Sequence, residues 1–166
     1  MFIKTWIFFT VYRVAEMILS YHNSRSHNLR EVGIGQKYSM ILLHSMWFLS
    51  MIIEDYYFHT ALELNIMKII LIIILFFAST LRIISMMTLK KMWSTKVYAL
   101  RKENVITSGI YKYFRHPNYF AVFLEITLLP ILFDLYYTAL VFTLFNSIFL
   151  FLRIRLENRF TYGEIS

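Results

Sequence analysis

The chain alternates long apolar runs with shorter polar segments. Five runs follow one another, at residues 2–19, 38–58, 64–89, 119–133 and 135–152. The third contains an uninterrupted apolar stretch, residues 69–77, and the fifth carries no charged residue. A helix needs about 20 mostly apolar residues to cross a bilayer, with a range of about 17–25. Runs one, two, three and five reach this length, which predicts membrane-spanning helices.

The fourth run is short and predicts either a tilted helix or one arm of a helical hairpin. Pro130 and Asp134 lie where such a hairpin turns, because proline interrupts the hydrogen-bond ladder of a helix. The first run lacks a small-residue cleavage site after its apolar core, so we interpret it as a retained helix and not as a signal peptide. The predicted fold is all-α, a single membrane-embedded domain over residues 1–166. It has about five transmembrane helices, the last two forming a hairpin.

Composition favours a membrane protein over a soluble one. Hydrophobic residues occupy 58% of the 166 positions and charged residues 16%, whereas soluble domains are about 45–50% apolar and about 25% charged. Intrinsic disorder requires low hydrophobicity and is excluded. The chain has no cysteine, which excludes a disulfide scaffold, a cysteine-zinc site and a cysteine nucleophile.

The net charge of +7 is unevenly distributed. With five helices, one face carries the segment before run two, the segment after run three and the C-terminal tail. That face holds 13 of the 17 lysines and arginines, and the opposite face holds Lys4 and Lys68 together with Glu54, Asp55, Glu63 and Asp134. Cytoplasmic loops are enriched in Lys and Arg, so we expect an outside N-terminus and a cytosolic C-terminus. Contact with anionic membrane lipids accounts for the positive charge. The aromatic residues are not interleaved with the lysines, which argues against nucleic-acid binding.

The longest polar stretch, residues 90–118, carries the candidate chemistry. Its mixture of charged and apolar residues is typical of an ordered, partly amphipathic segment at the membrane interface. Pro117 suits the first turn of helix four and biases His116 towards extended backbone. Arg115 and His116 are therefore expected at the mouth of this helix, where free N–H groups attract anions. Taken singly, Arg115 is explained more simply as a positive-inside anchor and His116 as a turn residue.

A second polar cluster follows run five. Arg153 and Glu157 are four residues apart and share one helix face there. One interpretation is a surface ion pair at a basic helix end. The other requires a hairpin of helices four and five that brings this face to the mouth of helix four. Arg115, His116, Arg153 and Glu157 then converge on one cytosolic pocket.

Residues 105–119, Val-Ile-Thr-Ser-Gly-Ile-Tyr-Lys-Tyr-Phe-Arg-His-Pro-Asn-Tyr, resemble the isoprenylcysteine carboxyl methyltransferase family. The shared pattern is a glycine and a tyrosine, then Arg-His-Pro-x-Tyr, an apolar hairpin, and Arg153 with Glu157. Leu42-Leu-His44 and residues 89–96 are similar to the bacterial branch of the family. Some members of that branch O-methylate alkylpyrones or alkylresorcinols. The resemblance implies a bacterial cell membrane as the location.

The resemblance also implies an S-adenosylmethionine-dependent O-methyltransferase, with no metal. Carried over by position, the residues that bind the cofactor are Lys96, Glu103, Asn104, Val105, Ile106, Tyr111, His116, Pro117, Asn118, Tyr119 and Glu157. Arg153 matches a position associated with the substrate, and Lys96 stands where some relatives have a glutamine. Ala121 replaces a common glycine and Asn158 replaces the second glutamate of a usual pair.

The chemistry that this family implies is an in-line displacement, in which the protein aligns two partners and removes water. The expected acceptor is a carboxylate, enol or phenol oxygen on a lipophilic small molecule whose tail enters from the bilayer. Arg153, with Arg115 as a second candidate, orients that oxygen as a fixed cation. His116 binds the cofactor or acts as a base, and Glu157 faces the positive end of the cofactor.

Two other functions stay open from the sequence. One is a membrane lipid reductase with a nicotinamide cofactor, since some such reductases have a broadly similar helical core. The other is a small non-enzymatic membrane protein with a polybasic surface. Within the apolar runs, Arg13 and Glu16 are interpreted as a helix-packing pair, because charge at membrane depth is costly unless paired. His44 and Glu125 are either interior contacts or part of a substrate tunnel.

Overall fold

The apolar runs lie in helices that continue beyond them at several ends. The computed structural model describes residues 1–25, 30–58, 62–99 and 105–160, and it is all-α in class. Its long helices are α1 (Phe2–Arg25), α2 (Ile34–Phe58), α3 (Ile66–Leu89), α4 (Pro117–Leu132) and α5 (Tyr136–Phe160). Two short strands, β1 (Glu31–Val32) and β2 (Val97–Tyr98), pair antiparallel.

Several helix boundaries differ from the ends of the apolar runs. α1 continues to Arg25 and α5 to Phe160, because backbone hydrogen bonding needs no apolar side chain. Pro130 lies inside α4 and not at the turn. The turn is formed by residues 133–135, where Asp134 has a φ of 59°. Aspartate tolerates this left-handed conformation better than most residues.

Length and composition identify two of the helices as candidate membrane spans. These are Ile66–Met92, which includes α3, and Tyr136–Phe160. α4 is also apolar but has only 16 residues, fewer than the about 20 that span a bilayer. α1 and α2 interrupt their apolar runs with polar residues and are not among the candidates found in the described residues. By length and composition, the described residues thus contain two candidate spans, where the apolar runs predict about five.

Packing places α4 at the centre of the helices. α3 and α5 both pack against α4, and α2 packs against α5. Trp47, Met51, Ile126 and Leu129 are almost completely buried in the resulting core. Large apolar side chains are exposed on the outer surfaces, including Phe76, Ile73 and Leu140. Exposed apolar surface of this extent is unusual for a soluble monomer and suits a lipid environment.

Polar contacts fix the end of the molecule where α4 turns into α5, which we call the far end. Glu54 accepts hydrogen bonds from the backbone N–H groups of Tyr137 and Thr138, at 3.0 and 2.7 Å. A carboxylate there neutralises free donors and the positive dipole end of α5. Lys68 Nζ lies 2.5 Å from Asp134 Oδ2. These contacts set where α5 starts, and hence where its last turns lie.

The opposite end, which we call the site end, is organised by residues 93–99. The pairing of β1 with β2 places Glu31 beside Tyr98. Ser20 of α1 accepts a hydrogen bond from the N–H of Thr95 at 2.8 Å. The described parts of residues 90–118 contain short helical turns and β2 but no α-helix before Pro117. The segment predicted as partly amphipathic is thus irregular there: Trp93, Val97 and Tyr98 are buried, whereas Tyr113 and Phe114 are exposed.

Candidate active site

The mouth of α4 and the last turns of α5 form a connected polar cluster. Arg153 Nε donates to the hydroxyl of Tyr119 at 2.7 Å, and that hydroxyl donates in turn to Glu157. His116 Nδ1 lies 3.3 Å from the other oxygen of Glu157. The rings of His116 and Tyr119 stack with their centroids 5.5 Å apart. Three of the four residues predicted to converge, His116, Arg153 and Glu157, are therefore in one cluster.

Local structure explains why these side chains meet. His116 precedes α4 with non-helical backbone, φ −127° and ψ 52°, as expected for a residue before proline. Pro117 occupies the first turn and is fully buried. Arg153 and Glu157 are one turn apart on α5, so both point to the same side. Arg153 is itself 5% exposed and also donates to the carbonyl of Thr95 at 2.6 Å.

A cleft at the site end brings most of the predicted cofactor residues together. Those that line it are Lys96, Val105, Ile106, Tyr111, His116, Asn118, Tyr119 and Glu157, and the catalytic candidate Arg115 lines it with them. Pro117 is buried at the start of α4. Glu103 and Asn104 lie outside the described residues. Arg115 is on the exposed rim of the cleft and Arg153 lines the neighbouring cavity instead.

The cleft also contains residues that sequence reasoning missed. Leu89, Met92, Trp93, Ser94 and Tyr98 complete its wall. Trp93 is 3% exposed. The sequence did carry a signal for such a wall, because residues 90–118 contain many aromatic and aliphatic residues among their charges. It did not show which of these residues face the cleft. Together with Tyr111, Val105 and Ile106 they make a wall suited to a planar, apolar ring.

Lys96, which the family resemblance assigns to the cofactor, forms an ion pair within the protein. Its Nζ lies 2.8 Å from Glu31 Oε2. The hydrogen bond with Glu31 raises the pKa of Lys96 above its usual value. The pair joins Lys96, the residue before β2, to Glu31, the first residue of β1, and it places one positive and one negative charge at the edge of the cleft.

A second and larger cavity runs between α1 and α2. It has a volume of about 440 Å³, within the about 300–1,000 Å³ typical of small-molecule sites. Most of its wall is apolar, with Met17, Ile41, Phe48 and Leu49 among the lining side chains. At the site end it reaches Arg153. The wall of the cavity is thus mostly apolar, with Arg153 at the site end and Arg13, Glu16, Arg82 and Lys37 as further charged lining residues.

The cleft and the cavity share a wall. Trp93, Ser94, Asn118 and Tyr119 line both. Asn118 Oδ1 is buried and has no hydrogen-bond partner among the described residues. An acceptor without a partner is costly in a protein interior, so a donor group of a bound ligand has a place there. Two ligands, one in each space, would meet at Tyr119 and Asn118.

Four buried charges connect α1, α3 and α4 beside this cavity. Arg13 Nη2 lies 2.6 Å from Glu125 Oε2, and Arg13 Nη1 lies 3.3 Å from Glu16. Arg82 pairs with both Glu16 and Glu125. The expected pair of Arg13 and Glu16 exists, but it is part of a larger network. Charges inside apolar runs signalled these residues, and only the fold showed which ones meet.

His44 lines the cavity as one of its polar groups. Its Nδ1 lies 2.7 Å from the carbonyl of Met40, an acceptor, so Nδ1 carries the hydrogen. Its Nε2 is buried with no hydrogen-bond partner among the described residues. This placement agrees with the tunnel interpretation of His44. Glu125, by contrast, is fully buried in the charge network. Within the described ranges, no group of three His, Asp or Glu side chains is arranged to hold a metal ion.

Comparisons with known proteins add a family relationship. The sequence model described as the isoprenylcysteine carboxyl methyltransferase family matches residues 69–161. A Bacillus subtilis (strain 168) protein, named as uncharacterized protein YpbQ, is 31% identical over 155 residues, which covers 90% of this chain and 89% of that protein. An uncharacterized protein of Haemophilus influenzae (strain Rd) is 35% identical over 85 residues, covering 51% and 49% of the two chains. No solved structure matches.

Proposed function

Because the chain belongs to the isoprenylcysteine carboxyl methyltransferase family, we propose that it moves a methyl group from S-adenosylmethionine to an oxygen of a lipid-tailed acceptor. Family membership makes the chain a membrane methyltransferase. The donor, the oxygen acceptor and the lipid tail are the proposed part. One observation carries them: a cleft with polar and aromatic side chains and a mostly apolar cavity meet at Tyr119, beside Arg153 and Glu157.

The cleft fits the donor by the chemistry of its walls. Glu157 supplies a carboxylate, and Asn118 supplies an oxygen that lacks a partner among the described residues. Trp93 and Tyr111 offer aromatic surface. When bound, S-adenosylmethionine supplies a methyl group on a sulfonium, which an acceptor oxygen takes as the bond electrons stay on sulfur. Glu157 stabilises positive charge in the cleft, and His116 and Asn118 hold polar groups of the ligand.

The cavity fits the acceptor. Its apolar body between α1 and α2 removes an alkyl tail from water, worth about 0.8 kcal/mol for each methylene. Arg153 holds an anionic oxygen at the site end, and its own position is fixed by Tyr119 and Thr95. A guanidinium with two fixed donors cannot swing away from the reacting oxygen. Alignment of this kind is the main contribution that a protein makes to a bimolecular displacement.

His116 is the candidate for receiving a proton. A carboxylate acceptor arrives ionised and needs no base, whereas an enol or phenol arrives with a proton to lose. His116 Nδ1 faces Glu157 and Nε2 lies 3.3 Å from Asn158 Oδ1. Imidazole is the side chain that most often transfers protons in enzyme sites, and Glu157 orients the ring of His116. An alkylpyrone or alkylresorcinol, as methylated by some bacterial members, would use this route.

We further propose that all five long helices cross the membrane, with the site end in the cytosol. Thirteen of the 17 basic residues lie on the predicted site-end face, and cytoplasmic loops carry such an excess. The donor then enters the cleft from the cytosol, and the acceptor enters the cavity from the bilayer. In this arrangement the N-terminus is outside and the C-terminus inside.

The first test is the affinity for S-adenosylhomocysteine, measured by calorimetry on purified protein in detergent. We expect Glu157→Gln to weaken binding by about tenfold or more, because a hydrogen bond or contact to a charged group is worth about 1.5–3 kcal/mol. Glu63→Gln, which removes an exposed carboxylate at the far end, is the matched control. Unchanged affinity in Glu157→Gln would remove Glu157 from the donor site.

The second test identifies the reaction. Purified protein is incubated with labelled S-adenosylmethionine and a lipid extract, and methylated products are identified by mass. An O-methyl product with an alkyl or prenyl tail is the expected result. A methylated phospholipid amine would contradict the oxygen acceptor. Binding of NADPH in place of S-adenosylhomocysteine would contradict the methyl donor.

A further inference from the structure

The apolar cavity has a direction along α1. Phe2, at the start of α1, packs edge-on against Phe133 at the far end, with ring centroids 5.2 Å apart. Ser20, near the other end of α1, contacts Thr95 at the site end. The residues of α1 that line the cavity extend from Trp6 to Met17. Trp6 is therefore the lining residue of α1 that lies deepest towards the far end.

Trp6 lies against α2 at this deep end. Its indole Nε1 donates to the carbonyl of Phe48 at 3.0 Å, and the two rings pack edge-on with centroids 5.8 Å apart. The hydroxyl of Thr10 donates to the carbonyl of Trp6 at 2.8 Å. An indole that is both packed and hydrogen-bonded has little freedom to turn aside. Beyond it, Phe2 belongs to the buried core.

The depth of the cavity sets a tail length. From Met17 to Trp6 the α1 backbone rises about 16 Å, at 1.5 Å for each residue. Carbon–carbon bonds of about 1.5 Å advance a zigzag chain by somewhat less than their length, so about a dozen carbons fill this distance. Arg153, which lines the cavity at the site end, marks where the polar head begins.

We propose that Trp6 limits the acceptor to molecules with one alkyl tail of about a dozen carbons, whose end stops against the indole ring. This inference rests on the proposed function, in which the cavity holds the acceptor's tail. It adds a substrate class defined by tail length and a residue that determines it. A longer tail must leave carbons in the bilayer or displace Trp6 from Phe48.

The test measures binding without any methyl transfer. The probes are a homologous series of straight-chain fatty acids, whose carboxylate suits Arg153 and whose tails differ only in length. Occupancy of the purified protein is measured by native mass spectrometry. For the wild type we expect affinity to rise with chain length up to about a dozen carbons and then to stop rising. Trp6→Ala should move this limit to tails several carbons longer.

Two control variants distinguish a limit on tail length set by Trp6 from a general effect of substituting an aromatic residue of α1. Trp6→Phe keeps a ring at the position and should keep a limit close to that of the wild type. Phe8→Ala removes a large aromatic side chain from the exposed surface of α1, where Phe8 is 64% exposed, and should leave the limit unchanged. A length profile of Trp6→Ala that superimposes on the wild-type profile overturns the proposal, as does a wild-type affinity that continues to rise with length.

Failure of this inference is distinguishable from failure of the proposed function. If S-adenosylhomocysteine binds but the fatty acids show no limit set by Trp6, only the role of Trp6 is wrong. If the limit moves in Trp6→Ala but S-adenosylhomocysteine does not bind, the cavity takes a lipid tail and the methyl donor is wrong.

Discussion

Tyr119 connects the two charged residues of α5 through one hydroxyl group. It accepts a hydrogen bond from Arg153 and donates one to Glu157. The same side chain lines both the cleft and the cavity. A shift of Arg153 therefore changes the position of Tyr119, and with it the wall between the two proposed ligands. At this scale the site depends on hydrogen-bond geometry more than on charge alone.

Arg153→Lys tests that dependence while keeping the positive charge. A lysine has a single ammonium and cannot donate in fixed directions to Tyr119 and Thr95 together. We expect kcat/KM for the acceptor to fall by about tenfold to a hundredfold, as for loss of an interaction worth about 1.5–3 kcal/mol. Affinity for S-adenosylhomocysteine should stay within a small factor of the wild-type value.

Arg155→Lys is the control for this substitution, because Arg155 is exposed on the same helix. It should leave both kcat/KM and S-adenosylhomocysteine affinity unchanged. Wild-type kcat/KM in Arg153→Lys would show that the bidentate geometry has no part in the reaction. An equal loss of donor and acceptor affinity would assign Arg153 a structural role.

The connection of α4 to α5 depends on one residue between the two helices. Asp134 adopts a left-handed backbone conformation and pairs with Lys68 of α3. Burial raises the pKa of the Asp134 carboxyl, but hydrogen bonds from Lys68 and Tyr136 outweigh it and hold the pKa below its usual range. A depressed pKa means that the ionised carboxylate stabilises the folded protein.

Asp134→Asn isolates this charge, since asparagine also tolerates the left-handed conformation. At neutral pH we expect a loss of about 1 kcal/mol or less, because the ion pair is partly exposed. The stabilisation is present above the unfolded pKa of about 3.9 and is lost as the pH falls through the lower folded pKa. The difference in melting temperature between wild type and Asp134→Asn should therefore shrink in acid. A difference that grows as the pH falls would contradict this assignment.

The whole molecule is joined by the buried network of Arg13, Glu16, Arg82 and Glu125. It connects α1 to α3 and α4 at the depth of the cavity. Two arginines and two glutamates neutralise one another, which allows charge in the interior of the helices. Breaking a buried pair by removing one partner is strongly destabilising, because the other charge is left uncompensated.

Arg82→Met should therefore cost about 3–5 kcal/mol in the free energy of unfolding. The double variant Arg82→Met with Glu16→Gln removes one charge of each sign and leaves Arg13 paired with Glu125 at 2.6 Å. We expect it to be more stable than Arg82→Met alone, measured by denaturation in detergent. A double variant that loses the sum of both single effects would show that the charges act independently.

Orientation in the membrane is also a property of the whole molecule. The chain has no cysteine, so single introduced thiols report their side without background. In intact cells, a membrane-impermeant maleimide should label Lys4→Cys at the far end and should label Arg159→Cys only after permeabilisation. Both positions are exposed in the structure. The reverse pattern would place the site end outside and contradict a cytosolic donor.

The sequence alone determined the helical character of the chain and the neighbourhood of the site. Apolar run length is a local property, and backbone hydrogen bonding within a helix needs no distant partner. Pro117 likewise set the start of α4 and the conformation of His116 through steric effects on adjacent residues. The motif around His116 and the spacing of Arg153 and Glu157 led to the family that the comparison shows.

Only the tertiary structure decided which of these residues meet. Arg13 and Glu125 are 112 residues apart, and Lys96 pairs with Glu31 where the family pattern suggested a cofactor contact. Residue identity gives the charge of each group, but its partner depends on how helices pack and on where each helix begins and ends. The shared wall at Tyr119 and the contact of Trp6 with Phe48 arise in the same way, from side chains of different helices that share one space.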